Sequence, residues 1–268
     1  MFSEYRQRGY FDEALGYDCV DQRRPYGTMG SDPEGYAFIR LRRPGLWPIS
    51  RGREYTEVDV FDIIEFLHDE ISKPTDRHFH DYSNCGYHSN TWDKTQGRQE
   101  FRQMVNPFLS DYGKGYELTE AGEVLEKGDV GLQPLFVLPL PTSVPGGIKE
   151  RVAAAIHAFR RHDVSPEDKR NSVRTLAGIL EHLRPLLKQV LKKKDESDLF
   201  ELANGFGIRH LRADQRTDYD PEIWLPWMFY YYLAAIHAST RLIRKAGLAV
   251  PPLPSASSSP TSSENEAH

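Results

Sequence analysis

Asn204, Arg209, His210 and Gln215 lie within a dozen positions of one another in the stretch LFELANGFGIRHLRADQRTDYD. A histidine moves protons near neutral pH, and an arginine holds a phosphate through its two-pronged guanidinium. Together these types suit metal-free cleavage of an RNA phosphodiester, with the ribose 2′-hydroxyl as nucleophile and a cyclic phosphate left behind. His210 would be the acid or base, Arg209 would stabilise the transition state, and Asn204 would orient the ribose or phosphate. Arg212 and Gln215 are the further candidates for RNA contact. The bland alternative is that Asn204 and Gln215 tie down a loop while His210 caps helix carbonyls.

A second constellation is RHFHDYSNCGYHSNTWD, with His78, His80, Cys85 and His88. Imidazoles and thiolates are zinc ligands, and the two-residue gap between Cys85 and His88 suits a metal-binding knuckle. A complete site would draw on His78 or His80 and could add Cys19. A Gly-Tyr-His turn over a buried thiol explains Cys85 and His88 equally well, and no paired CxxC framework is present. The expectation is therefore a chain with no resident metal or cofactor, and zinc on these four residues is the alternative.

Around these residues the pattern predicts an α+β protein in three parts. Residues 1–140 form a small mixed domain of unassigned role. Residues 147–246 form an antiparallel four-helix bundle, and 251–268 form a disordered tail rich in Pro, Ser and acidic residues. In the first part the apolar spacing of Val58, Phe61, Ile64, Leu67 and Ile71 predicts a helix stopped by Pro74. A weaker helix follows around residues 97–113, interrupted or kinked at Pro107, and residues 36–41 read as a strand. Residues 116–128 read as a short strand entering a turn. In the second part Ser165-Pro166-Glu167-Asp168 and Asp220-Pro221-Glu222 each combine a capping oxygen, a preset φ and negative charge at the positive end of a helix. A short helix is predicted over residues 196–205, and Gly247 closes the last long one.

The segment from Ile148 to Arg244 resembles the HEPN superfamily, helical bundles common in bacterial abortive-infection and toxin systems. The likeness rests on LFELANGFGIRHLRADQRTDYD followed by WLPWMFYYYLAAIHASTRLI. It implies a dimer that pairs two histidine-bearing loops in one cleft, RNA as partner, and metal-independent endoribonuclease activity. The family places an arginine four to six residues before its histidine. Counting back from His210 gives Gly205, Asn204 or Ala203, so the resemblance implies either that Arg209 substitutes or that the domain only binds. Arg151 and His157 match the spacing within an alanine-rich helix, a chance match. The rival reading is a non-catalytic dimerisation module carrying a ligand-binding first domain.

Composition sets wider bounds. A net charge of −5 argues against a protein that coats nucleic acid by bulk electrostatics, though not against a local basic site. Two cysteines build no disulfide framework. No apolar run nears the ~20 residues that span a bilayer, and the N-terminus lacks a signal-peptide core. The expected location is the cytoplasm, with no membrane partner and an unidentified antitoxin.

Overall fold

The computed structural model describes residues 2–20, 26–205 and 220–254. These form a mixed α+β protein, mostly helical, with three two-stranded antiparallel sheets, and they divide into two compact units. The first unit runs to Val130, short of the expected 140, and also takes Arg160–Asp163. The second holds Gly131–Phe159 and the chain from Val164 onward.

The first unit opens with α1 (Phe2–Gln7), α2 (Asp12–Leu15), α3 (Pro33–Leu41) and α4 (Glu57–Glu70). The helix α3 replaces the strand expected at 36–41. Asp32 caps it by accepting from the Gly35 amide at 2.9 Å, with Pro33 in the first turn. In α4, Thr56 and Asp59 form a reciprocal capping box. Strand β1 (Lys73–Pro74) pairs with β4 (Trp92–Asp93), and β2 (His78–His80) pairs with β3 (Gly86–His88). One long hairpin thus leaves the body between residues 73 and 93.

Helix α5 (Lys94–Asp111) runs through Pro107 without interruption. It crosses so close to the start of the hairpin that a Cβ at Gly97 would lie 2.6 Å from the Lys73 amide nitrogen. Strands β5 (Tyr116–Leu118) and β6 (Val124–Glu126) form the last hairpin. Asn106 holds it to α5, donating to the Leu118 carbonyl at 3.2 Å and accepting from its amide at 2.7 Å. Tyr5, Phe11, Phe61, Phe66, Ile71, Phe101 and Val124 belong to the core of this unit.

In the second unit α6 (Pro134–Val137) and α7 (Gly146–Arg160) lead to α8 (Pro166–Val190), α9 (Lys193–Gly205) and α10 (Pro221–Lys245). Ser165 caps α8 as expected, in a reciprocal capping box with Asp168; Asp220 caps α10, and α8 continues through Pro185. The helices α7 to α10 share one core. It includes Ile148, Val152 and Phe159 from α7, Leu176, Leu180 and Leu183 from α8, Phe200 from α9, and Phe229, Tyr232 and Ile236 from α10. The aromatic cluster of α10 turns largely inward, with Phe229 stacked on Phe159 at 4.0 Å between ring centroids. Ile223 and Trp227 stay exposed. Arg184 joins α8 to α9 through Glu196 at 2.6 Å, and Tyr231 donates to the Leu199 carbonyl at 2.8 Å. Residues 251–254, expected in the tail, are anchored: Leu253 packs on this core and the Pro251 carbonyl lies 3.0 Å from His182 Nε2. No helix among the described residues is long and apolar enough to cross a membrane.

Candidate metal centre

Two stretches far apart in sequence meet at the outer hairpin. After α2, Gly16 at φ 79° breaks the helix and carries the chain to Cys19. This stretch lies along the hairpin: Ser72 donates its amide to the Tyr10 carbonyl at 2.9 Å, and Tyr17 donates its hydroxyl to Asn90 Oδ1 at 3.3 Å. Hairpin register is fixed at the base by Asp76, whose Oδ1 accepts from the Asn90 and Thr91 amides at 2.8 and 3.0 Å. Those bonds favour the charged carboxylate and hold its pKa below the usual value.

The pleat sorts the hairpin side chains. His78 pairs with His88, Phe79 with Tyr87 and His80 with Gly86, so the three histidines share a face and the two aromatic rings share the other. A single 3₁₀ turn at Tyr82–Asn84 forms the tip, and Gly86 leaves it at φ 95°, a left-handed conformation that favours glycine. This reversal brings Cys85 back against His88.

The result is a four-residue cluster of Cys19, His80, Cys85 and His88, whose ligand atoms all lie within 4.8 Å of one another. Cys19 Sγ is 3.7 Å from His80 Nδ1, and Cys85 Sγ is 3.1 Å from His88 Nε2. A tetrahedral zinc ion with ordinary Zn–S and Zn–N bonds sets sulfur–nitrogen edges of about 3.6 Å, so both contacts are close to bonding dimensions. The common spacing also suits one ion better than a two-iron cluster, whose cysteine and histidine pairs sit on different irons. Cys19 and His88 are buried and Cys85 is partly covered. Burial, followed by the neighbouring His80 and His78, lowers the His88 pKa. The imidazole therefore stays neutral, the form that binds a metal. The Tyr17 ring stacks on it at 4.7 Å and 17°, holding its plane.

Three of the four alternative ligands read from the sequence belong to this cluster. His78 does not: it shares the face but is exposed, and its Nδ1 lies 3.3 Å from the Asp76 carbonyl. Cys19 takes its place, 61 residues before His80 in the chain. The signal available was arithmetic, since the two cysteines of the chain are both here. This donor set is the one that the zinc alternative needs, with Cys19 in place of His78. Arg209, His210, Arg212 and Gln215 lie outside the described residues, as does the side chain of Asn204, whose backbone lies in the last turn of α9. No protein-family model, curated protein or solved structure matches this chain.

Proposed function

We propose that the first unit is a zinc-organised module, with Cys19, His80, Cys85 and His88 as a closed structural site. The observation that carries this reading is the mutual approach of all four ligand atoms within 4.8 Å. Four protein ligands leave no open position for substrate, which is the signature of a structural rather than a catalytic zinc. Two thiolates also cancel the charge of the ion, so the partly buried centre is neutral when filled. The zinc would pin the 16–20 segment to the outer hairpin and fix the face bearing Phe79 and Tyr87. Full-length protein should carry one zinc per chain at this site. Cobalt substitution should give the visible bands of a tetrahedral thiolate site. Both signals should vanish in Cys19→Ser and Cys85→Ser. A metal content unchanged by either substitution would remove the reading.

For the chain as a whole we propose RNA binding or RNA processing. The second unit would act as a HEPN-like antiparallel bundle made of α7 to α10. Support comes from the 199–244 sequence and from the core that α7 to α10 share. Further support comes from the first unit. Phe79 and Tyr87 form an exposed cross-strand pair with ring centroids 5.1 Å apart, and Arg77 lies 4.4 Å over the Tyr87 ring. Exposed rings beside a guanidinium are the usual platform for unstacked bases. Self-association through the exposed Ile223 and Trp227 of α10 belongs to the same proposal. RNA incubated with the full chain, with and without EDTA, separates its versions. Cleavage that survives EDTA and is lost in His210→Ala supports the enzyme. Binding without cleavage supports the module. Absence of both overturns the RNA reading.

A further inference from the structure

Asp62 and Glu65 lie three residues apart on α4, so their carboxylates leave the same side of the helix. The short stretch Arg160–Asp163 belongs to the first unit and sets His162 against them. His162 Nε2 lies 3.7 Å from Asp62 Oδ1 and 3.5 Å from Glu65 Oε1, and one ligand atom from each of the three residues falls within 4.8 Å of the others. The His162 side chain is fully buried, with 0% exposed, and neither ring nitrogen has a hydrogen-bond partner. The Phe61 ring packs edge-on against it at 5.1 Å. Buried polar nitrogens are normally satisfied, because a bare one forfeits its hydration with nothing in return. An imidazole facing two carboxylate oxygens, with no hydrogen bond to either, leaves a place for a cation between them.

The surrounding charge favours that cation. Arg43 pairs with Asp59 at 2.6 Å and with Asp62 at 3.5 Å. Arg161 reaches Asp163 at 3.1 Å, Glu65 at 3.5 Å and Glu123 at 4.0 Å. Five carboxylates thus face two guanidiniums, an excess of three acidic groups. Neighbouring groups also hold the two carboxylates in place. Arg43 engages Asp62 Oδ2, leaving Oδ1 toward His162, and Glu65 Oε1 accepts from the Val124 amide at 2.7 Å. Such outer contacts orient metal ligands.

We propose that Asp62, Glu65 and His162 bind a divalent transition-metal ion through one imidazole nitrogen and two carboxylate oxygens. Three protein ligands leave positions for water or a small ligand, unlike the closed Cys/His centre. The imidazole disfavours calcium and magnesium, which take oxygen ligands, and the absence of thiolate admits manganese. Manganese therefore separates this site from the zinc centre, whose two thiolates it binds poorly.

The test is Mn²⁺ titration of the full-length protein, followed by the loss of the free-ion electron paramagnetic resonance signal. One saturable site per chain is expected. His162→Gln should weaken it at least about tenfold, by loss of a direct ligand, and Asp62→Asn should do the same. Cys85→Ser should leave it unchanged, so failure of the zinc reading would not be mistaken for failure of this one. Circular dichroism checks each variant. If His162→Gln unfolds, the half-buried Asp62→Asn carries the test. No saturable Mn²⁺ binding, or binding indifferent to Asp62→Asn, overturns the proposal and leaves His162 as a packing residue beside two carboxylates.

Discussion

Cys19 Sγ and His80 Nδ1 stand 3.7 Å apart although 61 residues separate them in the chain. A contact of this kind closes a long loop, and a metal bound there would act mainly on stability. Zinc that binds only the folded state adds about 4 kcal/mol when free zinc exceeds its Kd a thousandfold. Chelation should therefore lower the melting temperature of the native protein, and added zinc should restore it. Cys19→Ser should abolish the zinc-dependent increment, whereas His78→Ala should keep it, because His78 stands outside the cluster. Equal losses in the two variants would place the ligand set wrongly. Calorimetry with and without zinc makes the measurement.

His68 supplies a pH dependence of its own. It is fully buried on α4, with neither ring nitrogen hydrogen-bonded, and its pKa falls from 6.5 to about 4. Burial is the main cause; Arg98, Arg102 and Lys94 push the same way and Asp69 opposes them. The unfolded chain takes up a proton near pH 6.5 that the folded chain refuses until about pH 4. Stability from this group is therefore complete above pH 6.5 and falls with decreasing pH toward 4, by on the order of 3 kcal/mol across the window. Urea denaturation at several pH values should show that slope in the wild type. His68→Gln should flatten it between pH 4 and 6.5, even if it lowers stability at pH 7.

How far the sequence carries is best judged from its helix starts. Ser165-Pro166-Glu167 and Asp220-Pro221-Glu222 announce α8 and α10, and both begin there. Asp32-Pro33-Glu34 has the same grammar and starts α3. The apolar run from Tyr36 to Leu41 reads as a strand, but the cap and proline outweigh six residues of ambiguous periodicity. Local signals also found His80, Cys85 and His88, because all three lie on one hairpin. Cys19 enters only as an optional further ligand, and His162 does not enter at all, for the opposite reason. Each reaches its partners through a chain return that no local pattern encodes. The return of Arg160–Asp163 rests on such long-range contacts, including Arg160 to the Glu126 carbonyl at 2.8 Å and a bridge between Arg161 and Leu125.

Two glycines in helices should respond oppositely to alanine. Gly97 sits on α5 where that helix presses on the chain entering the outer hairpin. An added Cβ would meet the Lys73 nitrogen at 2.6 Å and the Ser72 Cα at 2.8 Å, both parts of the main chain. Backbone cannot swing aside as a side-chain tip can, so α5 or the hairpin must shift. Overpacking of this kind costs about 1–3 kcal/mol, which exceeds the helix propensity gained. Gly178 lies exposed within α8, and nothing stands within 4 Å of its would-be Cβ. There only the backbone entropy of glycine is removed, and alanine should stabilise by about 1 kcal/mol. Thermal unfolding of Gly97→Ala and Gly178→Ala, each read against the wild type, should shift in opposite directions. Because the Gly97 contact lies at the root of the hairpin that carries His80, Cys85 and His88, Gly97→Ala should also weaken zinc retention. Gly178→Ala, in the second unit, should not. A Gly97→Ala protein as stable as the wild type, with its zinc intact, would mean that α5 does not press on residues 72–73 and does not brace the metal-bearing hairpin.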